Sequence, residues 1–401
     1  MFNSLKFKVI LFGFIFTFFS SFGQSYFLGL FNSSIREALS ITHGQFGSIY
    51  ASATLCSSLL LIWIGKKIDD VNIFKFALFV IILLSFACFF FSRITSVFLL
   101  FVAIFLMRFS GQGMMSHTAS TTISRYFTRT RGKALSISWF GLSSAEFIMP
   151  VLMVYLLTII DWQNLWLIFS ITVLIVLPIA SFLLIKNLNL DSREANDENI
   201  KEVEIKQWKR IEVIKDYRFY IISSNMLAMP WIFTGFAVFQ SFVQTSKGWG
   251  PYVIAQSFMS YSFFSVLTLF LSGFLIDKFT SRKLLIYMNI PLLLSVVVLF
   301  FFDTPVTAFV FLGLVGISNG FANILGSSTW AELYGVKYLG SIKALTTALM
   351  VFATAFGTAL FGYLIDIGFT VGDIATVSGI YIFISLILLF FVRKKLNPVI
   401  I

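Results

Sequence analysis

Residues 73–91 read IFKFALFVIILLSFACFFF, nineteen positions with a single charge, Lys75, close to the start. At 1.5 Å per residue a helix of that length crosses most of the roughly 30 Å hydrocarbon core of a bilayer. The run does not alternate polar and apolar residues as a barrel strand does, and a helix satisfies its own backbone hydrogen bonds in lipid. Working outward, windows of the same kind fall at about 9–31 and 46–65 upstream, and at about 95–122, 134–158 and 164–185 downstream. A charged stretch of about thirty residues, beginning KNLNLDSREANDENIK, separates these from six further windows at about 219–243, 252–276, 284–302, 305–329, 339–364 and 372–392. The expectation is an all-α membrane protein of twelve transmembrane helices in two six-helix halves, 1–185 and 219–401, joined by a linker, 186–218.

Composition agrees with lipid as the solvent. The 401 residues are 58% hydrophobic and 12% charged, with a mean hydropathy of +0.92, more apolar surface than a soluble domain can hide. The opening MFNSLKFKVILFGFIFTFFSSFG has the basic flank of a secretory signal, but its apolar run continues to about Phe31 without a small-residue cleavage pattern, so it reads as the first span. Cys56 and Cys88 both lie in apolar runs and make neither a disulfide framework nor a metal site.

A net charge of +11 raises nucleic acid as a partner, but the position of the charges answers otherwise. Of the 29 Lys and Arg residues, 25 fall in one alternate set of ends and connections, three (Arg36, Arg93 and Lys247) in the other, and Arg108 lies inside the fourth span. The positive-inside rule then places both termini in the cytoplasm of a cell whose inner (plasma) membrane holds the chain. The basic runs SRYFTRTRGK and KQWKRIEVIKDYR face lipid headgroups and acidic gate residues on this reading, with no nucleic acid partner. In the second, Ile205, Trp208, Ile211 and Ile214 recur at helical spacing, which predicts an amphipathic helix lying on the cytoplasmic surface.

The two halves carry an internal repeat. Gly65 and Asp69 (GKKIDD) correspond to Gly273 and Asp277 (GFLIDK), Tyr126 to Tyr334, and Gly132 to Gly340, all at one offset of 208 residues. Four coincidences at one offset indicate duplicated units, the architecture of a transporter.

These connections resemble the signature G-x-x-x-D-[RK]-x-G-[RK]-[RK] of the major facilitator superfamily. The second copy matches at Gly273, Asp277, Lys278 and Arg282, with Thr280 where the family has its inner Gly; the first keeps Gly65 and Asp69 but has Asp70 and Asn72 at later positions. Arg108, Gly111, Gln112 and Gly113 resemble the family's R-x-x-Q-G helix with Gly and Gln exchanged. SRYFTRTRGKALSISW and WAELYGVKYLGSIKAL look like the cytoplasmic connections of the monocarboxylate-porter-like and oxalate/formate-like branches. The resemblance implies a twelve-helix secondary transporter working by alternating access, functional as a monomer without a cofactor, with gates at the signature residues. The branch points to small organic anions.

It also implies that spans 1, 4, 7 and 10 line the transport path. Candidates for substrate binding there are Gln24, Arg108, Gln112, Trp231, Asn319 and Asn323, with Arg108 and Gln112 one helical turn apart. Pro230 is expected to disturb span 7 and free a carbonyl. Ser20, Asn225 and Thr234 fit equally well as hydrogen-bonding glue between helices. Trp330 fits an interface anchor, and His117, about half a turn from Arg108, should face a neighbouring helix. Arg108 in span 4 and Glu146 in span 5 are each about twelve residues from a span end, so both lie near mid-depth, and the expectation is a charged pair. A sharper reading gives the guanidinium to an anionic substrate while Glu146 takes the proton that drives transport.

Other functions stay open. Efflux of drugs or other solutes, and a receptor derived from a transporter, share the same fold. No Walker A cradle supports ATP-driven transport, and two scattered histidines, His43 and His117, make neither a metal site nor the cluster a membrane enzyme needs.

Overall fold

The computed structural model describes residues 4–127, 130–186 and 206–398, without the side chains of Ser4, Asp69, Arg131, Asp277 and Ser327. The described residues hold helices and no strand. Twelve helices are long and apolar enough to cross a membrane: Leu5–Gly29, His43–Ile68, Ile73–Phe91, Val97–Tyr126, Gly132–Leu156, Trp162–Ile185, Tyr217–Val238, Val253–Ile276, Ser281–Phe301, Pro305–Tyr334, Leu339–Asp366 and Val371–Lys395, spans 1 to 12. Each coincides with one of the windows read from sequence. Side chains such as Phe98, Phe274 and Phe391 are more than 70% exposed, a state that only lipid makes tolerable.

Local chemistry fixes the ends. Thr42 and Gln45 form a capping box that opens span 2, the Asn72 side chain accepts the Phe74 N–H at 2.9 Å to open span 3, and Asp216 accepts the Arg218 N–H at 3.0 Å to open span 7. These side chains satisfy backbone donors that the first helical turn leaves over. Pro291 lies in the first turn of Ile290–Phe301, and span 9 breaks just before it at Asn289. The Ser318 hydroxyl donates to the Met288 carbonyl at that break, at 2.8 Å.

The chain divides into two compact units, Met1–Asn199 and Ile200–Ile401. In the first, span 1 packs on span 5, span 2 on span 4, and span 3 on spans 4 and 6. In the second, span 7 packs on span 11, span 8 on span 10, and span 9 on spans 10 and 12. The pairings correspond six spans apart, the structural counterpart of the repeated sequence.

The linker differs from its expected form. Residues 187–205, including Ile205, lie outside the described residues; beyond them the only regular element before span 7 is a short helix, Arg210–Lys215. Lys209 is extended, so Trp208 leaves the helical phase, and Val213 is the residue of this helix that reaches the core, beside Trp330 and Tyr334.

Candidate functional site

Two helix interruptions meet in the first unit. Span 1 runs as an α-helix over Ser4–Ser20, tightens at Ser21–Gly23, becomes extended at Gln24 (φ −81°, ψ 151°) and restarts as Ser25–Gly29. Span 4 changes to a wide π-helical stretch at Arg108–Met115. The crossing is tight because two glycines face each other. A Cβ on Gly23 would stand 2.3 Å from the Met107 carbonyl oxygen, and one on Gly111 would stand 2.6 Å from the Gly23 nitrogen. Aromatic rings hold the broken segment: Phe22 stacks on Phe169 with centroids 4.9 Å apart, and Phe27, Phe31 and Phe91 surround Trp166. Sequence reading singled out neither break, and a run rich in phenylalanine gives no signal that six rings will converge.

Arg108 sits at this junction with 3% of its surface exposed. Its Nη1 donates to the Gly23 carbonyl at 3.1 Å and to the Ser25 hydroxyl at 3.2 Å, and its guanidinium lies 5.4 Å from the centre of the Tyr50 ring. The Tyr50 hydroxyl donates to the same Ser25 oxygen at 3.0 Å. Nε of Arg108 has no partner. The expected pair with Glu146 is not made: among the described residues no carboxylate lies within 4.0 Å of the guanidinium. Equal depth does not set direction around the helix, and span 1 intervenes, with span 5 packed on it while Arg108 faces spans 1 and 2. Glu146 is 8% exposed, within electrostatic reach of the Tyr26 phenol. Gln24 and Gln112 are half-buried at the same junction. The π-helical stretch removes the simple one-turn relation between Arg108 and Gln112.

In the second unit a cavity of about 220 Å³ opens among spans 7, 9, 10 and 11. Asn319 and Asn323 both line it, along with Met226, Pro230, Trp330 and Met350, and among the described residues no ionisable side chain does. Span 7 stays helical through Pro230, which has no N–H to give the Met226 carbonyl. Trp231 is displaced from its expected role. It lies about 100° round the helix from Pro230, 4% exposed, with its ring against Phe356, Phe361 and Tyr381. Trp330, expected as an interface anchor, is instead a buried wall of this cavity.

Several polar residues act as glue. Asn319 reaches Ser265 of span 8 at 2.9 Å and Asn225 reaches Ser385 of span 12 at 3.5 Å, whereas Ser20 donates only within its own helix, to the Thr17 carbonyl at 2.6 Å. His117 faces span 2, its Nε2 2.9 Å from the Gly65 carbonyl, so the first gate copy is tied to span 4. In the second copy the side chain of Asp277 lies outside the described residues, as does that of Asp69 in the first. Gly273 lies within the helix of span 8, Lys278 is exposed beside Phe279, and Arg282 donates to the Leu396 carbonyl at 3.2 Å and to Asn397 Oδ1 at 3.0 Å. Glu332 accepts the Ser281 N–H at 2.8 Å, capping span 9 from the end of span 10. Thr280, which replaces the signature glycine, has φ +69° and ψ 147°.

Twelve spans in two units of one pairing pattern, with interrupted helices around a buried cation and a largely apolar cavity that holds two asparagines, mark a polytopic membrane transporter. A family model described as the Major Facilitator Superfamily matches residues 13–260, and the chain belongs to that superfamily. A bacterial homologue of the human lysosomal transporter Spinster, solved in an inward-facing and unoccupied conformation, is 14% identical with a TM-score of 0.74 over 98% of each chain. The nucleoside transporter NupG is 15% identical with a TM-score of 0.70, over 98% of this chain and 99% of its own. At such identities the likeness speaks to the fold. No curated protein matches the sequence.

Proposed function

We propose that the chain is a proton-coupled secondary transporter of a small organic anion such as a monocarboxylate, working by alternating access as a monomer in the inner (plasma) membrane with both termini cytoplasmic. The observation that carries this reading is Arg108: a guanidinium 3% exposed, with Nε unpartnered and no carboxylate within reach. A permanent cation at mid-membrane is costly unless something negative visits it. One carbonyl, one hydroxyl and a tyrosine ring support the charge without neutralising it, and leave a donor for a carboxylate. Gln24 and Gln112 flank that position, and Glu146 on span 5 is the proton carrier, separate enough to titrate on its own. Within the second unit, Asn319 and Asn323 line an uncharged cavity with room for a neutral polar group.

The test is reconstitution with counterflow and proton-driven uptake. Small carboxylates stabilise the purified protein against heat by mass action, and Arg108→Gln removes that response. Glu146→Gln, which keeps the shape of the protonated acid, retains counterflow while accumulation and its pH dependence disappear. Stabilisation by lipophilic cations alone would overturn the anion reading, and wild-type pH dependence in Glu146→Gln would exclude that residue as the proton carrier.

A further inference from the structure

The stretch before span 7 is tied to the inner end of span 10 by contacts that the transport reading does not use. The Trp208 N–H donates to the Tyr334 carbonyl at 3.0 Å, and the Gln207 side chain accepts the Lys337 N–H at 2.9 Å. The Tyr334 hydroxyl donates to Asp216 at 3.1 Å, and Arg218 closes on the same carboxylate at 2.8 Å. Arg218 also donates to the Asn397 carbonyl at 2.9 Å, so linker, span 10 and the stretch after span 12 share one knot around the buried Asp216 carboxylate.

Between these contacts lies the helix Arg210–Lys215. Val213 points inward to the cluster of Trp330 and Tyr334. On the opposite arc, about 140° wide at 100° per residue, stand Arg210, Ile211, Ile214 and Lys215, all exposed, with Ile211 at 69%. The acid of this helix, Glu212, is already engaged: it accepts the Lys209 N–H at 2.7 Å and pairs with Lys206 at 2.9 Å, and these hold its carboxyl below the usual carboxylate range. Among the described residues Arg210 and Lys215 have no carboxylate within 4.0 Å. Tyr217 and Tyr220, both more than half exposed, begin span 7 directly afterwards and mark the headgroup level.

We propose that this face docks on acidic phospholipid headgroups, with Ile211 and Ile214 at the headgroup–acyl boundary and Arg210 and Lys215 on the phosphates. Two cations that no carboxylate among the described residues neutralises, flanking two exposed isoleucines, match an anionic interface, and the face is continuous with the tyrosines of span 7. Through Val213 and the Asp216 knot the docked helix steadies the inner ends of spans 7 and 10, and with them the Trp330 wall of the cavity. The assignment rests on the proposed orientation only for naming the cytoplasmic leaflet as the docking surface.

The test places the purified full-length chain in nanodiscs of phosphatidylcholine alone or mixed with phosphatidylglycerol, where both leaflets are alike and orientation is irrelevant. The wild type melts higher with phosphatidylglycerol. Each basic side chain near a charged surface is worth about fivefold in affinity, so R210Q/K215Q loses roughly thirtyfold and most of the lipid-dependent gain. The charge-preserving R210K/K215R keeps that gain, which separates loss of charge from damage to the helix. Equal melting of the wild type in the two bilayers, or an undiminished gain in R210Q/K215Q, overturns the proposal. A dimer in phosphatidylcholine that I211Q/I214Q dissolves would assign the face to a second copy and overturn it too. No transport is measured, so failure here leaves the anion-transport reading standing.

Discussion

Gly23→Ala is the substitution that most directly loads the junction of spans 1 and 4. The added methyl would stand 2.3 Å from the Met107 oxygen and 2.4 Å from the Gln112 nitrogen, where ordinary contact begins at 3.4 Å. Both obstructing atoms are backbone, so no rotamer relieves the clash and the crossing must open by about 1 Å. Overpacking of this kind costs about 1–3 kcal/mol. The displacement also carries away the Gly23 carbonyl that accepts from Arg108, so lower stability and a weaker response to carboxylates should arrive together. Thermal melting with and without a carboxylate ligand measures both. Gly132→Ala and Gly340→Ala are the controls, because a Cβ at either meets nothing within 4 Å. Each should be neutral or stabilise by up to about 0.5 kcal/mol, since alanine restricts the unfolded chain. Gly111→Ala presses on the Gly23 nitrogen from the other side, and because both changes open one crossing, the double variant should lose less than the sum of the singles. Gly23→Ala melting at or above the wild type, with its ligand response intact, would refute the tight crossing as the support of the arginine.

Two further outcomes follow from the same structure. Thr280, at φ +69° and ψ 147°, occupies a backbone region that only glycine enters freely, at a cost of about 1–3 kcal/mol. Restoring the signature glycine with Thr280→Gly should therefore raise the melting temperature, and a lower one would show that the threonine side chain matters more than its strain. For orientation, cysteine replacing exposed Lys209 should be shielded from a membrane-impermeant thiol reagent in intact cells, while one replacing exposed Ser246 should react; the reverse labelling would invert the topology.

Much of the architecture was legible because its cause is local. A nineteen-residue run with a single charge leaves one option in lipid, and a 208-residue offset survives in glycines, acids and tyrosines at connections that are constrained alike in both units. The linker helix was half legible. The stripe Trp208, Ile211, Ile214 presumed an unbroken helix, but extended Lys209 put Trp208 on the Tyr334 ring and left the isoleucines outside. Trp231 was expected to line the path as an aromatic of span 7, yet its neighbour Pro230 lines the cavity instead, because a single residue turns a helix by about 100°.

The arginine shows most clearly where sequence stops. A lone cation in a span is readable as functional, since the membrane penalises it. Its depth is readable too, from a count of residues. Its direction is not, because direction depends on every interruption between it and the helix ends, and span 4 changes its winding at Arg108 itself. The interruption that redirects the side chain meets the one that frees its acceptor: span 1 leaves the helix at Gly23, and the carbonyl released there receives Nη1. Glycine permits both, at Gly23 for the approach and at Gly111 for the partner helix, so the site depends on what two residues lack. A carboxylate on span 5 would have neutralised the charge permanently. With Glu146 not paired to it, the guanidinium keeps one buried nitrogen unpartnered, and that free donor is what the proposed anion would engage.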